Sequence, residues 1–144
     1  MSFKAFDYSV AMICYEKNNV KYGMSCAWAM QVDYDKLVCL LGEQSDTGNN
    51  IVKGDIVGIS TASKNQKREV LQLGDKHSTK TSKFEGLKLS KKGSAILISG
   101  AAREMVCEVI DVIHLPGIEV DNLLYVKVLE SKENNDNFLH YSEL

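Results

Sequence analysis

Hydrophobic and polar positions alternate in short runs along most of the chain. A period of two marks a strand, because successive side chains leave it on opposite faces. Tyr8–Glu16 (YSVAMICYE) reads as a first strand, and Lys17–Asn19 as a turn. The extended pattern resumes over Val20–Val32 (VKYGMSCAWAMQV). Lys36–Gly42 (KLVCLLG) is a continuous apolar run, consistent with a strand buried on both faces. Asp55–Ala62 and Gly93–Ala102 are two more strands. Met105–Leu115 and Asn122–Glu130 follow, joined through Pro116-Gly117, where Pro fixes φ and Gly accepts a positive φ.

Helical patterning is brief. In Ser45–Gly54, Asp46 or Thr47 offers an N-cap before a turn or two of helix. Asn65–Gly74 places Val70, Leu71 and Leu73 on one side and ends at a glycine. Thr81–Leu87 (TSKFEGL) suits one further turn, and Asp75–Lys83 reads as a polar, exposed loop. Six or seven strands with few helices predict an antiparallel barrel or sandwich. Closure removes exposed strand edges, which favours a barrel. Residues 131–144 are polar and then weakly apolar, so this tail is either loose or docked through Phe138, Leu139 and Tyr141.

Composition narrows the class. A chain of 144 residues is expected to form one domain over 1–144, and 44% hydrophobic with 25% charged residues is ordinary for a soluble globular protein. The net charge of −2 argues against a nucleic-acid partner. No apolar run reaches the roughly 18 residues that span a bilayer. The opening MSFKAFDYSV lacks the apolar core of a secretion signal, so a cytoplasmic location is expected, with no membrane partner. Cys14, Cys26, Cys39 and Cys107 have no CxxC spacing and no neighbouring His pair, which predicts free buried thiols and no metal site.

The motifs of common catalytic machinery are missing: the chain has no GxGxxG, Walker A, GxSxG or HExxH. His77, His114 and His140 lie far apart, and nothing reads as a Ser-His-Asp set. No catalytic side chain is therefore predicted, and any chemistry would belong to a cofactor. One stretch stands out. The single tryptophan, Trp28, sits among Ser25, Cys26, Ala27 and Ala29. Small residues admit close approach to the backbone by a ligand, another subunit or a tight bend. Two plainer readings stand beside that one: Trp28 as a core anchor, and Ser25 as a turn residue bonded to its own backbone.

Together, MSCAWAMQVDYDKLVCLLG, SDTGNNIVKGDIVGIS, the Lys83-Phe84 pair in TSKFEGL and the late EMVCEVIDVIHLPGIEVDNLLYVKVLE resemble the flavin reductase-like family, over about Asp7 to Ser131. The resemblance implies a mainly β fold: an FMN-binding split β-barrel, antiparallel and Greek-key-like, with a few short helices. It implies a homodimer with FMN near the subunit interface. The implied activity is that of an oxidoreductase passing electrons from NAD(P)H or a redox protein through FMN to an acceptor. A non-catalytic, flavoredoxin-like FMN carrier is the alternative. Also open are related barrels that bind deazaflavin or haem, and a barrel acting as an interaction module without a cofactor. By resemblance, Ser25, Cys26, Ala27 and Trp28 would line the flavin, and Gln44, Ser45 and Thr47 would hold the ribityl chain and phosphate. Relatives commonly carry Lys or Arg near this loop, and Gly42–Asn50 has none. Lys83 is the expected replacement, with Lys53, Lys76, His77 and Lys80 as other sources of the charge.

Overall fold

The computed structural model of the protein describes residues 3–42, 46–75, 83–118 and 120–144. Its elements are β1 (Ala11–Lys17), β2 (Val20–Cys26), β3 (Ala29–Asp33), β4 (Lys36–Leu41), α1 (Asp46–Asn49), β5 (Ile56–Thr61), α2 (Lys67–Asp75), β6 (Leu89–Lys92), β7 (Ala95–Ile98), β8 (Arg103–Ile113) and β9 (Asn122–Glu133). The strands pair antiparallel in the order β3-β4-β9-β8-β5-β1-β7-β6, with β2 on β1. The β1–β2 hairpin closes on Asn18 and Asn19 at φ of 53° and 65°. Asparagine tolerates that left-handed conformation, which matches the twist of a two-residue hairpin.

The antiparallel, mainly β expectation holds, with two differences. The sequence pattern gives six or seven strands, whereas the described residues form nine. The pattern over Val20–Val32 divides into β2 and β3 at Ala27-Trp28, and β6 (LSKK) carries too little apolar signal to be seen. The sheet also stays open, ending at β3 and β6. A seam lies between β2 and β4, bridged by Leu40 N–H donating to Trp28 O at 2.9 Å and by the Cys26 thiol contacting Leu40 O at 3.3 Å.

β1 is the common wall of two cores. Its odd positions Ala11, Ile13 and Tyr15 join Cys39, Leu41, Val57, Ile59, Val109 and Leu124 inside the half-barrel. Its even positions Met12 and Cys14, with Val10 just before the strand, pack with Val70, Leu73, Phe84, Ile96, Ile98 and Leu139 under α2 and the β6–β7 hairpin. Burial on both faces explains why YSVAMICYE is so continuously apolar. Where β7 crosses β5, the backbones touch: a Cβ on Gly58 would lie 1.9 Å from the Ile96 carbonyl oxygen. Only glycine allows that crossing.

In β4 the expectation of two buried faces is corrected. Cys39 and Leu41 are buried, while Val38 and Leu40 are half-exposed on the outer surface of the barrel. The tail pairs at Ser9–His140 and Ser63–Phe138 and buries Leu139, leaving Tyr141 at 44% exposure. No helix among the described residues is long and apolar enough to cross a membrane.

Candidate functional site

The register of the β1–β2 hairpin sets Ser25 opposite Met12 and Cys26 opposite Ala11. Alternation then separates the residues of the Trp28 turn. The Ser25 hydroxyl points to α2 and donates to Val70 O at 2.6 Å, so its bond is to a helix carbonyl and not to its own turn. The Cys26 side chain points into the half-barrel, with its thiol against Trp28 O and Leu40 O at 3.4 and 3.3 Å. Burial pushes this thiol up to about 11, so it stays protonated at neutral pH and is not a nucleophile. Ala27 is half-buried. Trp28 is 61% exposed, which removes the core-anchor reading. Its backbone is fixed to β4 while its indole is open to a flat partner.

The hydroxyl expected next behaves differently. Thr47 lies within α1, a single turn of four residues, and does not cap it. It is fully buried, and its Oγ1 has no hydrogen-bond partner among the described residues. A buried hydroxyl without a partner is uncommon, because its desolvation goes uncompensated. The Thr47 carbonyl accepts from the Tyr15 hydroxyl at 2.7 Å, and Gly48 O accepts from the Asn122 amide at 3.0 Å. These bonds seat α1 on one end of the half-barrel. Gln44 and Ser45 lie outside the described residues, as do Lys76, His77 and Lys80.

Lys83 is 6% exposed, and its ammonium donates to Gly23 O at 2.8 Å and Leu73 O at 2.9 Å. It therefore joins β2 to the C-terminal end of α2. Its neighbour Phe84 packs where a Cβ on Gly23 would come within 2.6 Å of the ring. The Lys83-Phe84 pair thus fills the space that Gly23 leaves open. Sequence reasoning identified the pair; the missed signal was Gly23, whose lack of a side chain admits it. Among the described candidates, Ser25 and Lys83 meet through the C-terminal half of α2 and Trp28 lies on the adjoining turn, whereas Thr47 is at the α1 end.

Two surfaces adjoin the turn. Outward, Met30 and Val32 on β3 are 62% and 46% exposed. The register continues this outer face through Met30–Val38 and Val38–Tyr125, with Leu40 beside Leu123. Inward, a cleft of about 600 Å³ opens among β1, β3, β4, β5, β8 and β9. Its lining includes none of the six described residues among those expected to bind a cofactor.

The geometry can be set beside known proteins. The family model described as "Flavin reductase like domain" matches residues 3–143. A search of curated proteins found no match. Solved structures with the same fold include an NADH:FAD oxidoreductase of Streptomyces globisporus, at TM-score 0.76 and 13% identity, covering 89% of this chain and 76% of that one. A flavoredoxin from Methanosarcina acetivorans aligns at TM-score 0.77 and 11% identity, covering 90% of this chain and 70% of that one. An FMN-binding protein from Thermus thermophilus aligns at TM-score 0.80 and 14% identity, covering 91% and 74%. At such identities the likeness is one of fold. The match of the family model over nearly the whole length goes further: the chain belongs to the flavin reductase-like domain family.

Proposed function

We propose that this chain, acting as one domain over residues 1–144, is an FMN-binding oxidoreductase that takes electrons from NAD(P)H or a redox protein and delivers them to an acceptor. The observation that carries the reading is the exposed Trp28 indole beside small residues in a chain of this family. The Streptomyces neighbour is an NADH:FAD oxidoreductase and the Thermus neighbour an FMN-binding protein, which supports a nicotinamide donor and a flavin.

The residues fit such a group in two respects. Trp28 offers an aromatic face at a turn where the half-buried Ala27 leaves room, and Thr47 carries a buried hydroxyl without a partner among the described residues. In this reading Ser25, Cys26 and Ala27 offer backbone groups, and Trp28 its ring. Thr47, with Gln44 and Ser45, serves the ribityl and phosphate end. Lys83 acts as a positioning residue, because its ammonium is held by Gly23 O and Leu73 O behind the turn. When bound, the flavin supplies hydride acceptance and electron release. The protein fixes the ring, excludes water and needs no acid–base side chain of its own. The raised thiols of Cys26 and Cys39 agree with that division of labour.

A homodimer belongs to the same reading. The outer face bearing Trp28, Met30 and Val32 would be covered by a second copy, with the flavin at its margin. The four unpaired, buried thiols suit a reducing compartment, the cytoplasm. The test is the absorption spectrum of the purified protein, followed by titration of the apoprotein with FMN while Trp28 fluorescence is read. Saturable quenching of the single tryptophan is expected. A colourless protein that neither binds FMN nor shows quenching refutes the proposal.

A second reading is a carrier that holds FMN without turnover, favoured by the likeness to a flavoredoxin. NAD(P)H oxidation with FMN present separates the two. Rapid turnover excludes a pure carrier; bound flavin without turnover selects it.

A further inference from the structure

The half-barrel ends differently at its two ends. At the α1 end the interior is filled by Tyr15 and Tyr22, stacked at 5.1 Å, with Leu41 and Ile51. At the other end the inward positions carry small or slender residues, among them Ala11, Ala29, Cys39 and Val128. The space they leave is the cleft of about 600 Å³. We propose that this open barrel end is a second ligand site, separate from the Trp28 turn, for a small neutral molecule with a flat apolar body.

Size and lining argue for a small molecule. Pockets that hold such ligands run from about 300 to 1,000 Å³, with apolar walls and a few polar groups. Leu37, Ile59 and Met105 extend the apolar floor, while Thr61 and Ser131 bring hydroxyls. Barrels with few strands normally fill their interiors with side chains. Here that filling stops partway along, at the alanines. The floor is drawn from six strands, so it is built into the sheet and does not wait on a loop to form it.

Charge argues for neutrality. Arg103 is the one cation in the lining among the described residues, and it is already engaged. It donates to Ala102 O at 3.0 Å, to Asn135 O at 2.6 Å and to Asp136 Oδ1 at 2.7 Å, and it stands 3.8 Å from Glu133. Its other face lies over the Phe138 ring at 5.0 Å. The remaining charged residues of the lining are the carboxylates Asp35, Glu130 and Glu133. Asp35 and Glu130 are paired with Lys36 and Lys92, which do not line the cleft. An anion entering this cleft meets carboxylates and an occupied guanidinium, so FMN phosphate and nicotinamide dinucleotides are disfavoured there.

The experiment uses the full chain and two fluorescent probes with the same ring, neutral aminoanthracene and anionic anthracene carboxylate. We expect one saturable aminoanthracene site per chain, at least tenfold tighter than the carboxylate, and unchanged by saturating FMN. Ala29→Phe and Val128→Phe, which fill the cleft, should each weaken binding at least tenfold. Methyl resonances of Leu37, Ile59 and Val128 in the unaltered protein should shift on titration, which keeps the test decisive if either variant fails to fold. Displacement of the probe by FMN, equal affinity for both probes, or methyl shifts lying elsewhere would overturn the proposal. So would the absence of saturable binding, the result expected if a second copy's side chains occupy the cleft. Because the probe site is read without reference to turnover, its failure leaves the flavin reading untouched.

Discussion

Replacing Lys83 by methionine separates a structural tether from a phosphate ligand. Methionine keeps most of the unbranched stem and removes the ammonium. Two short bonds vanish, to Gly23 O at 2.8 Å and Leu73 O at 2.9 Å, in a residue only 6% exposed. Hydrogen bonds to a charged group contribute about 1.5–3 kcal/mol each, and a buried carbonyl left unpaired costs a similar amount. Against this, the variant no longer desolvates an ammonium, a penalty of several kcal/mol in real proteins. The balance is a loss of about 2–4 kcal/mol, because the bonds are good and the lost partners lie on two different elements. For a domain of this size that lowers Tm by roughly 5–15 °C. Arginine should not rescue, since its planar fork does not match the compact site of an ammonium. The assay is urea unfolding, paired with FMN titration of the folded variant. A tether predicts lower stability with FMN affinity within about threefold of the parent (a 0.7 kcal/mol window). Unchanged stability with FMN affinity at least tenfold weaker would show that Lys83 binds the phosphate and that its inward bonds are incidental.

Three other outcomes follow from the same packing. Gly58→Ala should abolish folding or cost about 4 kcal/mol or more, since the new Cβ meets the Ile96 carbonyl at 1.9 Å; a cooperative melt within 5 °C of the parent would refute the backbone crossing. Burial raises the thiols of Cys14 and Cys107 to about 12, that of Cys26 to about 11, and that of Cys39 well above its ordinary value. The folded state therefore holds protons that the unfolded chain releases above about pH 9. Stability is full below that pH and falls as pH rises, by about 1.4 kcal/mol per unit for each thiol. Urea titrations from pH 8 to 10.5 should show the decline, reduced in Cys107→Ala, and native protein at pH 8 should resist thiol reagents. Met30→Lys with Val32→Lys should convert a micromolar dimer to a folded monomer, because both side chains are exposed in the single chain; light scattering that finds the parent chain monomeric removes the dimer.

Much of the sheet was legible because β1, β5, β8 and β9 have inner faces that bury branched residues, and alternation reports that directly. The β8–β9 irregularities were not legible. Between Val109 and Asp111 the register shifts, so Val112 returns to the half-barrel core that Val109 occupies. A bulge of this kind breaks period two for one step and looks like noise in a linear pattern. β6 was hidden for the opposite reason: an edge strand of Leu89-Ser-Lys-Lys has almost nothing to bury. At the site, Lys83-Phe84 and the Trp28 turn were visible, but the contacts that Ser25 and Lys83 make were not. Lys83 reads from the sequence as the cation for a flavin phosphate, and only the fold shows that Gly23 O and Leu73 O receive its ammonium.

The Trp28 turn carries the sharper lesson. In Ala27-Trp28-Ala29-Met30-Gln31-Val32 the large apolar side chains recur with period two, the pattern of a strand burying one face. The structure reverses the usual assignment: Trp28, Met30 and Val32 are exposed, and Ala29 and Gln31 line the cleft inside the half-barrel, which Met30 also borders. A shift of one residue in the β3–β4 register would exchange the two sets, placing an indole in the cleft and alanines outside. That register is held by Ala29–Cys39 and Met30–Val38, and by Leu40 N–H on Trp28 O. Small residues inside leave a cavity, and large ones outside leave an apolar face, so one alternating stretch creates both vacancies at once. Hydrophobic pattern reports what is buried in the working assembly, and in the single chain the large set of β3 is the exposed one. If the outer set is covered by a second copy and flavin, and the inner set by a neutral ligand, the inverted alternation has a physical cause on each face. Slipping β3 by one residue, through deletion of Gln31, should then abolish FMN quenching and aminoanthracene binding together, whereas filling the cleft alone removes only the second.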